Sequence, residues 1–474
     1  MNRHFRRIFY VFCCGFVALV GVLAYWQVYA KQRLADNPNN GLQSKRELQA
    51  PRGLILARDG QTVLAKSVKS GKDYKRVYPQ GALYSNVVGY WSQRYGATGI
   101  ELTQNSNLSG NAEPRTLDEL LNQLSGGPQP GDNVELTLDP RLQKLSYDLI
   151  KNSSSGKGAI VAINPKTGEI LALASYPSYD PNNIDQNFKK IQKNPNDLLL
   201  DRATQGLYPP GSTMKVITAA AALKKGVKPT DVFNDPGYYY PMGSGYAVTN
   251  YKGASYGNVT FQKALDLSIN VIFAKVAVEY VGAKALYDMA KNFGFGDSYN
   301  DLPLQITPSS VGPPPSKWDK NYLATAAFGQ AQVQATPFEM AMVAATVAND
   351  GIMMKPRIIK EVRSPEGVLL EKTHPSVDHR VLDASTAQTL NQMMQSVVTQ
   401  GDAGAAKIPG VTVAGKTGTA ETPSGAPDAW FISFAPANDP KIAVAVLVHN
   451  GGDSETNAVP LAQKVMQQAL KENL

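Results

Sequence analysis

Cysteine is almost absent. The 474 residues contain 2, Cys13 and Cys14, side by side in one apolar stretch, so the rest of the chain can form no internal disulfide and must be held by packing. Histidine is scarce too: none of His4, His374, His379 and His449 stands at a metal-ligand spacing from cysteine or acidic partners, and no metal and no cofactor is expected. Positive charge is in excess, with a formal net charge of +8, but no lysine/arginine stripe interleaves with aromatics, which argues against a nucleic-acid groove. Such an excess favours an anionic surface, a membrane or a wall polymer. Long hydrophobic runs are missing, with one exception: Ile8 to Trp26 is nineteen mostly apolar, uncharged residues, enough to cross about 30 Å of hydrocarbon as a helix. Arg3, Arg6 and Arg7 ahead of it would stay on the cytoplasmic side, and Tyr25, Trp26 and Tyr29 suit the outer interface. The expected arrangement is a cytoplasmic tail at 1–7, a single transmembrane helix at 8–26 and everything after Lys31 outside the cell membrane. The rival is a signal peptide cleaved at Val28-Tyr29-Ala30, but the apolar run exceeds the usual h-region of about 7 to 15 residues.

The length and a hydrophobic content of 43% exceed what a single core of about 250 to 300 residues holds, so at least two modules are expected. Residues 27–137 are polar, carry short strand-like pieces (Gly53–Ala57, Thr62–Ala65) and close in a Gly/Pro-rich stretch, Ser125–Asp132. They read as a pedestal and linker. Thr116 with Glu119 forms a capping box, and Asp139-Pro140 supplies the N-cap and first-turn proline of a helix from Arg141 to Asn152.

The chemistry enters at Ser212-Thr213-Met214-Lys215. Pro209, Pro210 and Gly211 break the chain before it, and the alanine-rich run after it has the helix propensity that puts positions i and i+3 on one face. Ser212 Oγ is therefore within reach of Lys215 Nζ. Ser268-Ile269-Asn270 lies between two helical patterns, Val259–Leu265 and Val271–Ala277, where a polar pair either faces a cleft or caps a helix. Lys416-Thr417-Gly418-Thr419 lies between two strand patterns, Val411–Gly415 and Ala429–Phe434. Gly418, lacking a side chain, would let a substrate backbone approach the strand edge. Similar fragments at Ser154–Lys157, Ser298–Asn300, Ser109–Asn111 and Lys166–Gly168 read as structural; the last sits in the turn of a hairpin from Ala159–Pro165 into Glu169–Ala174.

Three fragments in this order, separated by about fifty and then about a hundred and fifty residues, resemble the transpeptidase domain of penicillin-binding proteins. The likeness extends through Gly158–Asn182, Gly329–Ala341 and Ala348–Gly351. Arg52-Gly53-Leu54-Ile55, Arg58-Asp59-Gly60 and Gly96–Glu101 are similar to class B members, most of all the actinobacterial penicillin-binding protein A type. The resemblance implies an α+β, serine β-lactamase-like domain over 138–474, with a central antiparallel sheet, helices on both faces and an all-helical subdomain, behind the strand-rich pedestal.

Acyl transfer needs a base within about 3 Å of the serine, and Lys215, buried beside the second cation Lys416, would lose its proton readily. Resemblance assigns the backbone N–H groups of Ser212 and Thr419 to the oxyanion, Ser268 to proton relay, Asn270 to the substrate amide, and Lys416, Thr417 and Thr419 to a terminal carboxylate. It implies a D-alanyl-D-alanine stem peptide as donor, an amine of a neighbouring stem as acceptor, β-lactams as inhibitors and a polytopic glycosyltransferase as partner. Two alternatives stay open. A carboxypeptidase or β-lactamase would pass the acyl group to water, but no Glu-x-x-Leu-Asn motif follows Ser268. A β-lactam sensor would need a signal path across the membrane, for which a tail at 1–7 leaves little room. Tyr238–Tyr240 with Met242–Tyr246 form a flap over the cleft or a plain surface hairpin.

Overall fold

The computed structural model describes residues 3–25, 48–110, 129–422 and 425–474. Three strands are apolar runs without alternation, Gly158–Ile163, Asp428–Ala435 and Ile442–Val448, each buried along its whole length. Apolar residues on both sides of a pleat need cover on both faces. Helix Pro337–Ala348, buried at every position, packs on all three strands, while Val459–Lys471 and Pro140–Lys151 pack together against the sheet from the other side. The five strands are antiparallel, in the order Ala414–Ala420, Asp428–Ala435, Ile442–Val448, Gly158–Ile163, Ile170–Tyr176. Ala414–Ala420 is thus an edge strand, with Lys416 opposite Ile432 and Gly418 opposite Trp430.

Local signals hold up closely. Asp139 accepts from the N–H groups of Arg141 and Leu142 at 3.0 and 2.9 Å, and the helix runs Pro140–Lys151. Lys166-Thr167-Gly168 occupies the turn between Gly158–Ile163 and Ile170–Tyr176. The expected strand at Val411 begins instead at Ala414, because a bridge between Ile408 and Val411 closes a turn there. The lobe around Ser268, expected to be all-helical, carries short strand pairs as well: Val232–Asp235 with Gly257–Thr260, and Tyr238–Tyr239 with Val248–Thr249. Val259 and Thr260 accordingly belong to a strand, and the Thr260 side chain caps the helix Phe261–Asp266 that follows.

The N-terminal module forms a second sheet in the order Leu369–Lys372, Ile359–Arg363, Asn133–Leu136, Ile55–Leu56, Val63–Ser70, Asp73–Val77. Its two outer strands at one end come from the catalytic half of the chain, so pairing crosses residue 137. Arg52 and Arg76 clasp the buried Glu101 carboxylate at 3.0 and 2.5 Å. The Thr116–Glu119 capping box lies outside the described residues.

Residues Arg3–Ala24 form a helix of 22 residues on which Phe9, Phe12, Phe16 and Val17 are exposed. Among the described residues, no helix is long and apolar enough to cross a membrane; the side chains at 3–6, 8 and 24 lie outside that set. The span expected at 8–26 therefore has no structural support here.

Candidate active site

The serine loop is tied down from several directions. Tyr208 and Ala335 exchange main-chain hydrogen bonds at 3.0 and 2.8 Å, Trp430 Nε1 donates to the Pro209 carbonyl at 2.9 Å, and Thr213 Oγ1 donates to the Pro210 carbonyl at 2.7 Å. Gly211–Met214 then makes a 3₁₀ turn that runs into the α-helix Lys215–Lys224. Ser212 thus precedes the α-helix instead of standing in its first turn. Side chains at i and i+3 eclipse in a 3₁₀ helix, and Ser212 Oγ lies 3.0 Å from Lys215 Nζ.

Glycines let this turn close onto the edge strand. A Cβ on Gly418 would lie 2.8 Å from Thr213 Cγ2 and 2.9 Å from the Pro210 carbonyl oxygen, and one on Gly329 only 2.2 Å from that of Gly211. On the face where a Gly418 Cβ would point, the space is filled by the turn that carries Ser212, so the missing side chain serves this close approach, whatever pairs with the strand's free edge.

Lys215 is fully buried. Its Nζ lies 2.6 Å from the Ser268 carbonyl oxygen, 2.7 Å from Asn270 Oδ1 and 3.2 Å from Ser268 Oγ. Burial, then the neighbouring Lys416, hold its pKa well below the ordinary lysine value, against a smaller opposing pull from Asp402. A neutral amine has two N–H groups and one lone pair. The two carbonyl oxygens can only accept, so they take both N–H groups and the lone pair is left for a hydroxyl proton.

Ser268 joins the helices Phe261–Asp266 and Asn270–Val276 at φ = +57°, a left-handed conformation that a non-glycine residue adopts at a cost. The strain aims both its carbonyl and its hydroxyl at Lys215, and the hydroxyl also accepts from Lys416 Nζ at 3.1 Å. Asn270 Nδ2 donates to the Thr249 carbonyl at 3.2 Å. Neither side chain caps a helix, so of the two readings of this pair the cleft-facing one holds.

Lys416, also fully buried, donates to Thr417 Oγ1 at 2.9 Å and lies 3.8 Å from Asp402 Oδ2. Burial lowers its pKa, but Asp402, Asp266 and Glu455 pull the other way. Thr417 Oγ1 donates on to Asp402 Oδ2 at 2.8 Å, and Thr419 Oγ1 lies 3.1 Å from Ser454 Oγ. The backbone N–H groups of Ser212 and Thr419 belong to the two elements that meet here: the Cβ position of Gly211 is 3.0 Å from the Thr419 carbonyl oxygen.

Ser212, Ser268, Asn270, Thr417 and Thr419 all line one open cleft of ≈ 1190 Å³, more than the roughly 300 to 1,000 Å³ typical of a small-molecule pocket. The hairpin of Tyr238–Tyr239 and Val248–Thr249 brings Tyr246 to its wall. The look-alike fragments stay apart: Ser154 Oγ bonds the Gly451 carbonyl and Ser298 Oγ bonds Asn300 Oδ1. Asp402 and Ser454 were not legible in the sequence. A lone aspartate after Gly401 and a serine opening a short helix carry no motif.

Residues 158–468 match the penicillin-binding protein transpeptidase domain family, and residues 52–134 match the penicillin-binding protein A dimerisation domain. The chain is 36% identical to peptidoglycan D,D-transpeptidase PbpA of Mycolicibacterium smegmatis over 100% of both chains. It is 36% identical to the Mycobacterium tuberculosis protein of that name over 99% of each. The structure of penicillin-binding protein A from M. tuberculosis as a ceftriaxone acyl-enzyme complex superposes with a TM-score of 0.83 at 36% identity, covering 90% of this chain and 99% of that one. The D,D-transpeptidase domain of an Eggerthella lenta peptidoglycan glycosyltransferase gives 0.80 at 35% identity, with 90% and 99% covered. By the match over 158–468 and the 36% identity over the full length, this chain belongs to the penicillin-binding protein transpeptidase family, and its dimerisation domain is of the penicillin-binding protein A type.

Proposed function

We propose that this protein is a peptidoglycan D,D-transpeptidase that works through an acyl-enzyme on Ser212. Neutral Lys215 takes the Ser212 proton as Oγ attacks the carbonyl of a D-alanyl-D-alanine stem peptide, a step typically worth about 10² to 10⁴ in rate. The oxyanion is received by the N–H groups of Ser212 and Thr419, each such donor worth roughly 10² to 10³. Ser268, accepting from Lys416, relays the proton from Lys215 to the departing amine of D-alanine. Asn270 holds Lys215 through Oδ1 and exchanges the Thr249 carbonyl for that of the substrate amide. Lys416, Thr417 and Thr419 take the terminal carboxylate, as a cation and two hydroxyls suit an anion. An amine from a neighbouring stem then attacks the acyl-enzyme, cross-linking the wall and freeing Ser212. β-Lactams acylate the same oxygen.

The observation that carries this reading is the 3.0 Å contact between Ser212 Oγ and a buried amine whose N–H groups are already engaged by carbonyls. A hydrolase of the class A β-lactamase kind uses a carboxylate to activate water on the acyl-enzyme; among the described residues, no carboxylate hydrogen-bonds to Ser212 or Lys215, and the lifetime of the adduct separates a transpeptidase from a carboxypeptidase. Intact-mass analysis after penicillin exposure, followed by peptide mapping, tests the assignment. The adduct is expected on Ser212, long-lived, and lost in Ser212→Ala at an unchanged unfolding midpoint. Labelling that persists in the variant would overturn it, and rapid decay of the adduct would favour hydrolysis.

The apolar, uncharged run from Ile8 to Trp26 and Arg3, Arg6 and Arg7 ahead of it, read from the sequence alone, support a single-pass anchor in the cell membrane, with the catalytic domain outside. Resemblance to class B proteins supports a polytopic glycosyltransferase as the partner of the 27–137 module. Co-purification of such an enzyme with the full chain, and its loss when 48–110 is replaced, is the check.

A further inference from the structure

Asp402 has no part in the chemistry described so far, yet it is the acid nearest to it. Gly401 allows this: a Cβ there would lie 2.3 Å from the Asp266 carbonyl oxygen, so the loop after helix Ala384–Gln400 presses against the end of Phe261–Asp266. The carboxylate that follows sits beside Lys416 and Thr417. Its Oδ2 accepts the Thr417 hydroxyl at 2.8 Å and lies 3.8 Å from Lys416 Nζ, while its Oδ1 is buried with no hydrogen-bond partner. Thr417 Oγ1 accepts from Lys416 and donates to Asp402, so one hydroxyl links the cation to the carboxylate.

We propose that Asp402 is a positioning residue for the acylation of Ser212, the fixed counter-ion that keeps Lys416 charged and Thr417 oriented while Lys215 stays neutral. This rests on the reading of Ser212 as the acylated residue. Two lysines that both touch Ser268 Oγ, at 3.2 and 3.1 Å, must divide their protonation states. Like charges at that separation disfavour each other, and an opposite charge within about 4 to 6 Å decides which is kept. The groups facing Lys416 are Asp402 from its loop, Asp266 from Phe261–Asp266, Glu455 from Ser454–Asn457 and, across Ser268, Lys215. Only Asp402 is also hydrogen-bonded to a neighbour on the Lys416 strand.

The test is the second-order rate constant for Ser212 labelling by a fluorescent penicillin, measured from acid to alkaline pH for the full chain and for Asp402→Asn, Asp402→Ala and Asp402→Glu. Loss of the negative charge is expected to move the alkaline limb of the profile about one pH unit lower. On that limb the rate falls by about tenfold relative to the unaltered protein. The acid limb, set by the more distant Lys215, moves less and in the same direction. Asp402→Glu restores the alkaline limb. A profile that keeps its position, whether unchanged or scaled down equally at every pH, overturns the proposal. Asp402→Ala carries the same expectation should Asp402→Asn fail to fold. If the unaltered protein is not labelled at Ser212, it is the reading of the site that fails.

Discussion

At Ser212 the chemistry reduces to which partner receives a lone pair. Lys215 Nζ has two pure acceptors and two hydroxyls around it, so a neutral amine can only turn its lone pair to a hydroxyl, and Ser212 is the nearer at 3.0 Å. Burial and Lys416 both work against the ammonium form. Acylation by a β-lactam is therefore expected to be lost as pH falls through the lowered Lys215 pKa. Lys215→Ala is expected to cost about 10² to 10⁴ in acylation rate and to abolish that acid limb, as measured by a pH series of penicillin labelling. The pair was legible in the sequence because i and i+3 are local. What the sequence left out was the 3₁₀ geometry, and the strain at Ser268 by which a residue far along the chain delivers two oxygens to the same nitrogen.

At the scale of elements, the site is a seam between a turn and an edge strand. Sequence patterns placed the Lys416 strand, the hairpin around Lys166–Gly168 and the helix after Asp139, because alternation, turn residues and caps act over a few residues. They missed the strand character of Val259-Thr260 and the start of the Lys416 strand, where pairing with a distant segment decides. Gly418 shows the difference: its residue type was noticed, but its purpose depends on Pro210 and Thr213 meeting it. Gly418→Ala adds a methyl within 3 Å of both and forces the seam apart. The expected result is a stability loss of about 1 to 3 kcal/mol, read by chemical denaturation, with a disproportionate fall in acylation rate. A variant that labels at the wild-type rate would show the seam to be compliant.

Across the whole molecule, the second sheet couples the N-terminal module to the catalytic half through the pairing of Asn133–Leu136 with Ile359–Arg363. Glu101 is its buried ionic centre. Burial alone would raise the pKa of this carboxyl, but Arg76 and Arg52 outweigh it and hold it below the ordinary 4.5. A depressed carboxylate contributes stability that is present above the unfolded pKa and lost as pH falls through the folded one. Glu101→Gln leaves two buried guanidinium groups without their anion and is expected to cost about 3 to 5 kcal/mol at neutral pH. The variant should also lose part of the acid-induced drop in stability below pH 4.5, which denaturation at several pH values would reveal. At the other end of the chain, the protein is expected to stay with the membrane fraction through an alkaline carbonate wash and to be released on deletion of 1–30; release of the full chain would remove the anchor.

The amino-acid sequence by itself determined the candidate reactive groups, their order and most of the elements that carry them, because a serine three residues from a lysine, an N-cap before a proline and an unbroken apolar strand are short-range facts. Only the tertiary structure decided which lysine is hemmed in by carbonyls and which faces carboxylates, why Gly418 must lack a side chain, and that Asp402 stands behind Thr417. Those properties arise where segments distant along the chain close to within hydrogen-bonding distance. There burial and neighbouring charge, not residue type, set the protonation state.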